Sequence, residues 1–180
     1  CPFLLFPEDR THVIRMHNFA AHRWFTAEYA SERREGLRIE GQRDEYVTFQ
    51  IGALANAELR DLRVTFTALK PASGSAIPAA ALHCMNTNGS DDQGRPYLPR
   101  VNVSAGSVQP LWMGVMVPPD AAPSLYHGEV TVSATTPGGK YSLSVPISLQ
   151  VSATTAEQHG DTEAWRASRV RWLDSKLGID

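Results

Sequence analysis

Cysteine is scarce in this sequence. Cys1 and Cys84 are the only two in 180 residues, too few for the disulfide framework that staples small secreted scaffolds. A single bridge between them stays open, because sequence does not set the distance between their Cα atoms. The simpler reading is one thiol at the chain end and one buried in a core. Excess charge is lacking as well. Lys and Arg number 17 against 19 Asp and Glu, a formal net charge of -2. Without a basic surplus to hold phosphate backbones, nucleic acid is not an expected partner. No apolar run approaches the roughly 20 residues of a membrane-spanning helix, so insertion is not expected either.

The familiar catalytic signatures are missing too. The chain has no H-E-x-x-H, C-x-x-C, G-x-S-x-G or Walker-type loop. His12, His17 and His22 recur every five residues, a spacing that fits neither one strand face nor one helix face. A shared metal site is therefore not expected. His83 and Cys84 are neighbours, but on a strand they point to opposite faces and cannot form a thiolate–imidazole pair. Asn86 to Gly94 is rich in oxygen donors. Tyr97 stands where an EF-hand needs its bidentate Glu, so a plain turn is favoured over calcium.

What the sequence does have is alternation of period two. Leu62, Val64, Phe66 and Ala68 form one apolar face, and Leu111, Met113, Val115 and Val117 a second. Val130, Val132 and Ala134 form a third. The longest runs through Tyr141, Leu143, Val145, Ile147, Leu149 and Val151. Pro146 lacks an N–H, so that strand is expected to reach a sheet edge or a bulge there. Shorter strands are expected over 46–51, 80–85 and 98–103. Pro137-Gly138-Gly139 reads as the turn of a hairpin. About seven short strands, with turn formers between them and no long helical pattern among them, predict an all-β fold. We expect an antiparallel two-sheet β-sandwich of immunoglobulin or fibronectin-III-like shape, with a short C-terminal linker segment.

The remaining features have plain and functional readings. Residues 20–38 are charge-rich and fit a short surface helix or a loop. Asp44-Glu45 could split acid and base work, but neighbours on a strand diverge and solvated charges before strands are routine. Trp24, Trp112 and Tyr126 could form a sugar-stacking platform. Trp112 is out of phase with the Leu111–Val117 face, so it faces outward or is covered by a loop. Residues 152–162 are small and polar and read as a linker. Beyond it, Trp165, Arg169 and Trp172 share a helical face, whereas Arg169, Arg171 and Leu173 share a strand face; both stay open. Such residues anchor against something, a partner or the sandwich itself.

Several segments together resemble a known family. They are Glu45-Tyr-Val-Thr-Phe-Gln-Ile-Gly52, Leu82-His-Cys-Met-Asn86 with Gly89 and Gly94, Val108-Gln-Pro-Leu-Trp-Met-Gly-Val115 and Tyr126-His-Gly-Glu-Val-Thr-Val132. The most specific is His159-Gly-Asp-Thr-Glu-Ala-Trp-Arg-Ala-Ser-Arg-Val-Arg-Trp-Leu-Asp-Ser175. The chain from about Tyr46 onward resembles the N-terminal domain of glycoside hydrolase family 123-like proteins. One departure is Ser124-Leu125, where that family tends to carry a glycine near the Tyr-x-Gly turn.

The resemblance implies a β-sandwich placed ahead of a catalytic (β/α)8 barrel. Members are β-N-acetylgalactosaminidases in which the sugar's own N-acetyl group is the nucleophile. Their catalytic Asp-Glu pair belongs to the barrel, so no catalytic residue carries over, and Asp44-Glu45 is not that pair. The expected organisation is an accessory sandwich over 1–155 and an inter-domain linker over 156–180. The expected partners are a downstream barrel of the same chain and glycans. No cofactor and no metal are implied. A carbohydrate-binding module or a cell-surface interaction module are the alternatives, because folds do not fix functions. Trp112, Trp165, Arg169, Arg171 and Trp172 are then the candidate glycan-binding or domain-interface residues. Asn88 and Asn102 head N-glycosylation sequons. With Cys1 in place of an initiator Met, they fit a processed, secreted or extracytoplasmic protein.

Overall fold

The structure is a computed structural model and describes residues 1–8, 14, 36–90 and 93–162. The strands, in chain order, are β1 (Phe3–Glu8), β2 (Leu37–Arg43), β3 (Tyr46–Ala55), β4 (Leu59–Phe66), β5 (Lys70–Pro71) and β6 (Leu82–Cys84). There follow β7 (Gly89–Ser90), β8 (Pro96–Tyr97), β9 (Val101–Val103), β10 (Val108–Met116), β11 (Leu125–Thr136) and β12 (Gly139–Thr155). Single 3-10 turns stand at Ala79–Ala81 and Glu157–Gly160. No helix among the described residues is long and apolar enough to cross a membrane.

Two sheets face each other. Sheet I has the order β1-β3-β10-β6, and sheet II runs β2-β12-β11-β4-β9 with β5 also on β11. The alternating residues fill the space between them. Phe49, Ile51, Leu111, Met113 and Val115 come from sheet I, and Leu62, Val130, Val132, Ile147 and Leu149 from sheet II. All are buried in one continuous core. The all-β two-sheet sandwich is thus present; the strands expected from alternation are β4, β10, β11 and β12, and the shorter expected ones are β3, β6 and β9. β11 and β12 pair from Leu125↔Gln150 to Thr136↔Gly139 as the expected hairpin. Thr136 closes it: its Oγ1 accepts the Gly138 N–H at 3.2 Å and donates to the Gly139 carbonyl at 2.8 Å.

Two of the longer strands, β1 and β2, lie outside the expected set. β1 is an apolar run buried at nearly every position, which has no period to read. β2 begins inside the charged stretch read as a helix or loop, and buries Leu37 and Ile39 while Arg38 and Glu40 face solvent. Its pairing with β12 is parallel, from Ile147↔Leu37 onward. β12 is therefore an inner strand from Ile147. At Pro146, one residue earlier, its flank on that side is not paired by β2, which is where a residue without an N–H fits.

β4 carries an irregularity that alternation hides. Extending the Leu62, Val64, Phe66 period backward would bury Arg60. Instead the register against β11 shifts between Ser133 and Thr135, and Asp61 adopts φ 50. This bulge turns Arg60 outward to Glu58, at 3.0 Å, and buries Leu59 in its place. Asp tolerates the left-handed region better than most residues.

The start of the expected linker is anchored. β12 continues to Thr155, and the Ala156 N–H donates to the Arg43 carbonyl at 2.8 Å. Arg43 Nη2 donates to the Ala153 carbonyl at 2.7 Å, and His159 Nδ1 lies 3.3 Å from Asp44 Oδ1. Residues up to His159 are thereby tied to the turn between β2 and β3. The division into a sandwich over 1–155 and a linker over 156–180 otherwise concerns residues 163–180, outside the described set.

The cysteines sit far apart. Cys84 is on β6 and Cys1 precedes β1, the opposite edges of sheet I. Three strand spacings of about 4.8 Å exceed the span of a disulfide. Both thiols are free. Burial pushes the Cys84 thiol pKa up, which suppresses the reactive thiolate, whereas Cys1 is exposed. A thiol reagent is therefore expected to titrate one cysteine in the native protein and both in denaturant. Rapid native labelling of Cys84, read by peptide mass, would contradict this placement.

Candidate functional site

The outer face of sheet I is the most chemically varied surface described. Residues out of phase with the core project from it in rows set by strand register. Glu8, Gln50 and Trp112 are cross-strand partners, in that order, on β1, β3 and β10. Thr48, Gly114 and His83 form the next row, across β3, β10 and β6. Tyr46 and Met116 form the third.

Two glycines shape this face. A Cβ on Gly114 would fall 2.2 Å from the Tyr46 hydroxyl oxygen. The missing side chain lets the Tyr46 ring cross β10 and share a hydrogen bond between its hydroxyl and His83 Nε2. Gly52 does the same for Phe6, whose ring would lie 2.0 Å from an added Cβ. Phe6 then packs with Ile14, Val108 and Leu54 in a second apolar cluster. The Ile14 N–H donates to Gln50 Oε1 at 3.0 Å. β3 is consequently buried on both faces, and Thr48 and Gln50 are wholly inaccessible to solvent.

Trp112 lies at the middle of this surface, half-buried. Its N–H donates to Asn86 Oδ1 at 2.6 Å, and its carbonyl accepts the Met85 N–H at 2.8 Å. Asn86 thus continues the β6 pairing by side chain where the strand itself has ended. That gives the Asn86–Gly94 loop a structural use of its first oxygen donor, in line with the turn reading. Asp91 and Asp92 lie outside the described residues. Among the described residues no group of His, Cys, Asp and Glu is arranged to hold a metal ion.

His83 and Cys84 do point to opposite faces, Cys84 into the core and His83 outward. Burial holds the His83 imidazole below its ordinary pKa, so the fold favours the neutral ring. The unfolded chain then binds the proton more readily than the native one. Stability from this group is fully present above about pH 6.5 and is lost as pH falls through the lower native pKa. His83→Gln, which does not titrate, is expected to flatten that acid-side loss. Chemical denaturation at several pH values checks it, and an unchanged slope would count against a half-buried neutral His83.

Other expected site residues are placed elsewhere. Tyr126 does not join a stacking platform. It is fully buried in the sheet II core, and its hydroxyl donates to the Ala122 carbonyl at 3.0 Å. Its phase matches Val130 and Val132, which is what turns it inward. Asp44 and Glu45 also separate. Asp44 takes φ 58 in the β2–β3 turn, while Glu45 is buried and its Oε2 accepts the Gln42 N–H at 2.7 Å. Glu45 braces the turn. Asn88 and Asn102 are both exposed, and Asn102 Oδ1 accepts the Asp61 N–H at 3.1 Å. His12, His17, His22, Trp24, Trp165, Arg169, Arg171 and Trp172 lie outside the described residues. The Tyr46–His83 pair was missed by sequence reasoning. Its members are 37 residues apart, and only strand register joins them.

Comparison with known proteins gives likeness of fold alone. No family model matches the chain, and no curated protein matches it. Among solved structures, it is similar to a family 123 glycoside hydrolase from Clostridium perfringens, described in connection with glycolipid glycan hydrolysis. The two are 12% identical with a TM-score of 0.55, over 84% of this chain and 27% of that one. The chain therefore spans about a quarter of that enzyme's length. It is also similar to the major subunit of Myf fimbriae from Yersinia enterocolitica. Identity there is 12% and the TM-score 0.43, over 64% of this chain and 91% of that one.

Proposed function

We propose that this chain is a non-catalytic, extracytoplasmic β-sandwich domain of a family 123-like glycoside hydrolase. There it supports a catalytic (β/α)8 barrel that acts on N-acetylgalactosamine-containing glycans. The observation that carries this reading is the lopsided coverage, 84% of this chain against 27% of a glycoside hydrolase. Most of such an enzyme lies outside the region this sandwich matches. The motif resemblance, most specific in His159–Ser175, points the same way. In this reading the joint with the barrel is the segment holding Trp165, Arg169, Arg171 and Trp172, which follows in sequence the His159–Asp44 contact on the sandwich.

The test compares these 180 residues with the full encoded protein on an aryl N-acetyl-β-galactosaminide. Hydrolysis by the full protein and none by the 180 residues is the expected result. Hydrolysis by the 180 residues alone, or a full protein that encodes no barrel, would overturn the proposal.

A second reading is favoured by one observation, the grouping of half-buried Trp112 with Tyr46 and His83 on one face. An indole beside polar partners can stack on a sugar ring, which makes that face a glycan-binding surface. This reading predicts binding of N-acetylgalactosamine-terminated glycans that Trp112→Ala abolishes. Silence on a glycan array removes it.

A further inference from the structure

The opposite side of the sandwich carries a different surface. Several outward positions of sheet II are small hydroxyls: Thr65 on β4, Thr131 and Ser133 on β11, Ser142 and Ser144 on β12. Thr131 Oγ1 and Ser144 Oγ are hydrogen-bonded at 2.9 Å. At the hairpin end of this face a cavity of about 400 Å³ opens. Arg63, Arg100 and Lys140 line it, with Ser133, Thr135 and Asp61. Three cations meet one carboxylate there, in a chain whose overall formal charge is -2.

The carboxylate does not neutralise the group. Asp61 Oδ1 is 3.9 Å from Arg100 Nε, and both side chains are well exposed, a geometry of small worth in water. Arg60, the nearby cation that does have a close carboxylate, pairs with Glu58 instead. Arg63 is half-buried at the floor, opposite Ser133, and has no ion pair among the described residues. The β4 bulge produces this arrangement. It sends Arg60 away, lifts Asp61 to the rim and leaves Arg63 facing the hydroxyls.

We infer that this cavity is a binding site for the sulfate groups of an acidic glycan. The guanidinium fork of Arg63 suits an oxyanion. The hydroxyls of Ser133 and Thr135 supply donors and acceptors for the sugar bearing it. The surroundings argue against a nucleic acid, since the described lining has no aromatic ring to stack a base. The inference stands independently of the accessory-domain reading.

Isothermal titration with a chondroitin sulfate tetrasaccharide tests it, against the unsulfated tetrasaccharide, inorganic sulfate and a DNA duplex. Binding of the sulfated sugar, weakened by added salt, is expected, with the unsulfated sugar at least tenfold weaker. Arg63→Gln and Lys140→Gln should each weaken it about tenfold, the loss of one charge-assisted hydrogen bond. Asp61→Asn, which removes the one negative charge, should tighten it. Thermal unfolding confirms that each variant is folded. Equal binding of the unsulfated sugar overturns the inference, and so does sulfate alone matching the tetrasaccharide. Equal binding of the duplex, or affinity unchanged in folded Arg63→Gln, overturns it as well.

Discussion

Phe49→Ala is expected to lower the unfolding free energy by about 3–5 kcal/mol, the usual range for emptying a buried aromatic site. Phe49 is 1% exposed, at the centre of β3, paired with Met113 and facing sheet II. Its chain neighbour Thr48 points the other way and is equally buried, and its Oγ1 has no hydrogen-bond partner among the described residues. A buried hydroxyl without a partner is destabilising, so Thr48→Val should be neutral or stabilising by up to about 1 kcal/mol. The two substitutions together test which face of β3 meets the core. Urea unfolding of both variants is the measurement. Comparable losses at the two positions would mean that β3 is not seated as described.

Gly36→Val is expected to cost about 2–4 kcal/mol, from backbone strain and overpacking together. Gly36 has φ 80, and a Cβ there would lie 2.5 Å from the Pro146 carbonyl oxygen. That neighbour is backbone of β12, held on its other side by pairing with Glu129 of β11, and has little room to yield. The substitution strikes the one place where parallel β2 enters beside β12. Gly138→Ala is the control, because its Cβ would meet only Thr136 Oγ1 at 3.8 Å. A loss at Gly36 no greater than at Gly138, in the same unfolding assay, would contradict the parallel pairing.

These two sites also mark what the sequence could and could not convey. Phe49 lies in a stretch where β is legible, and the alternating faces of β10, β11 and β12 all reach the core they imply. Alternation reports burial on one face only. β1, buried at nearly every position, shows no period, and neither does β3, sandwiched between the core and the Phe6–Ile14 cluster. β2 does alternate, but its first residues adjoin a charged stretch. Its parallel partner lies over 100 residues away, and no local pattern encodes such a pairing. The bulge at Asp61 is invisible for a related reason. A register shift reverses the face of everything before it, so Arg60 and Leu59 exchange the roles that their spacing suggests.

The candidate site was legible in part. The phase of Trp112 against Leu111 and Met113 places it on the outer face, and that inference needs only β10. The phase of Tyr126 with Val130 would have placed it in the core by the same logic, and grouping it with Trp112 ignored that signal. The Tyr46–His83 contact needs three strands in register and a glycine at position 114, which are tertiary facts. The cations around the sheet II cavity come from β4, the segment before β9 and the β11–β12 hairpin, and only the fold gathers them.

The central claim is that this sandwich serves a barrel through its C-terminal segment. Hydrogen exchange, compared between the full encoded protein and these 180 residues alone, tests it most directly. The account predicts the same protection of the Phe49, Met113 and Ile147 amides in both. It predicts added protection across residues 163–175, the segment of Trp165, Arg169 and Trp172, only in the full protein. Identical exchange of that segment in the two forms would contradict it.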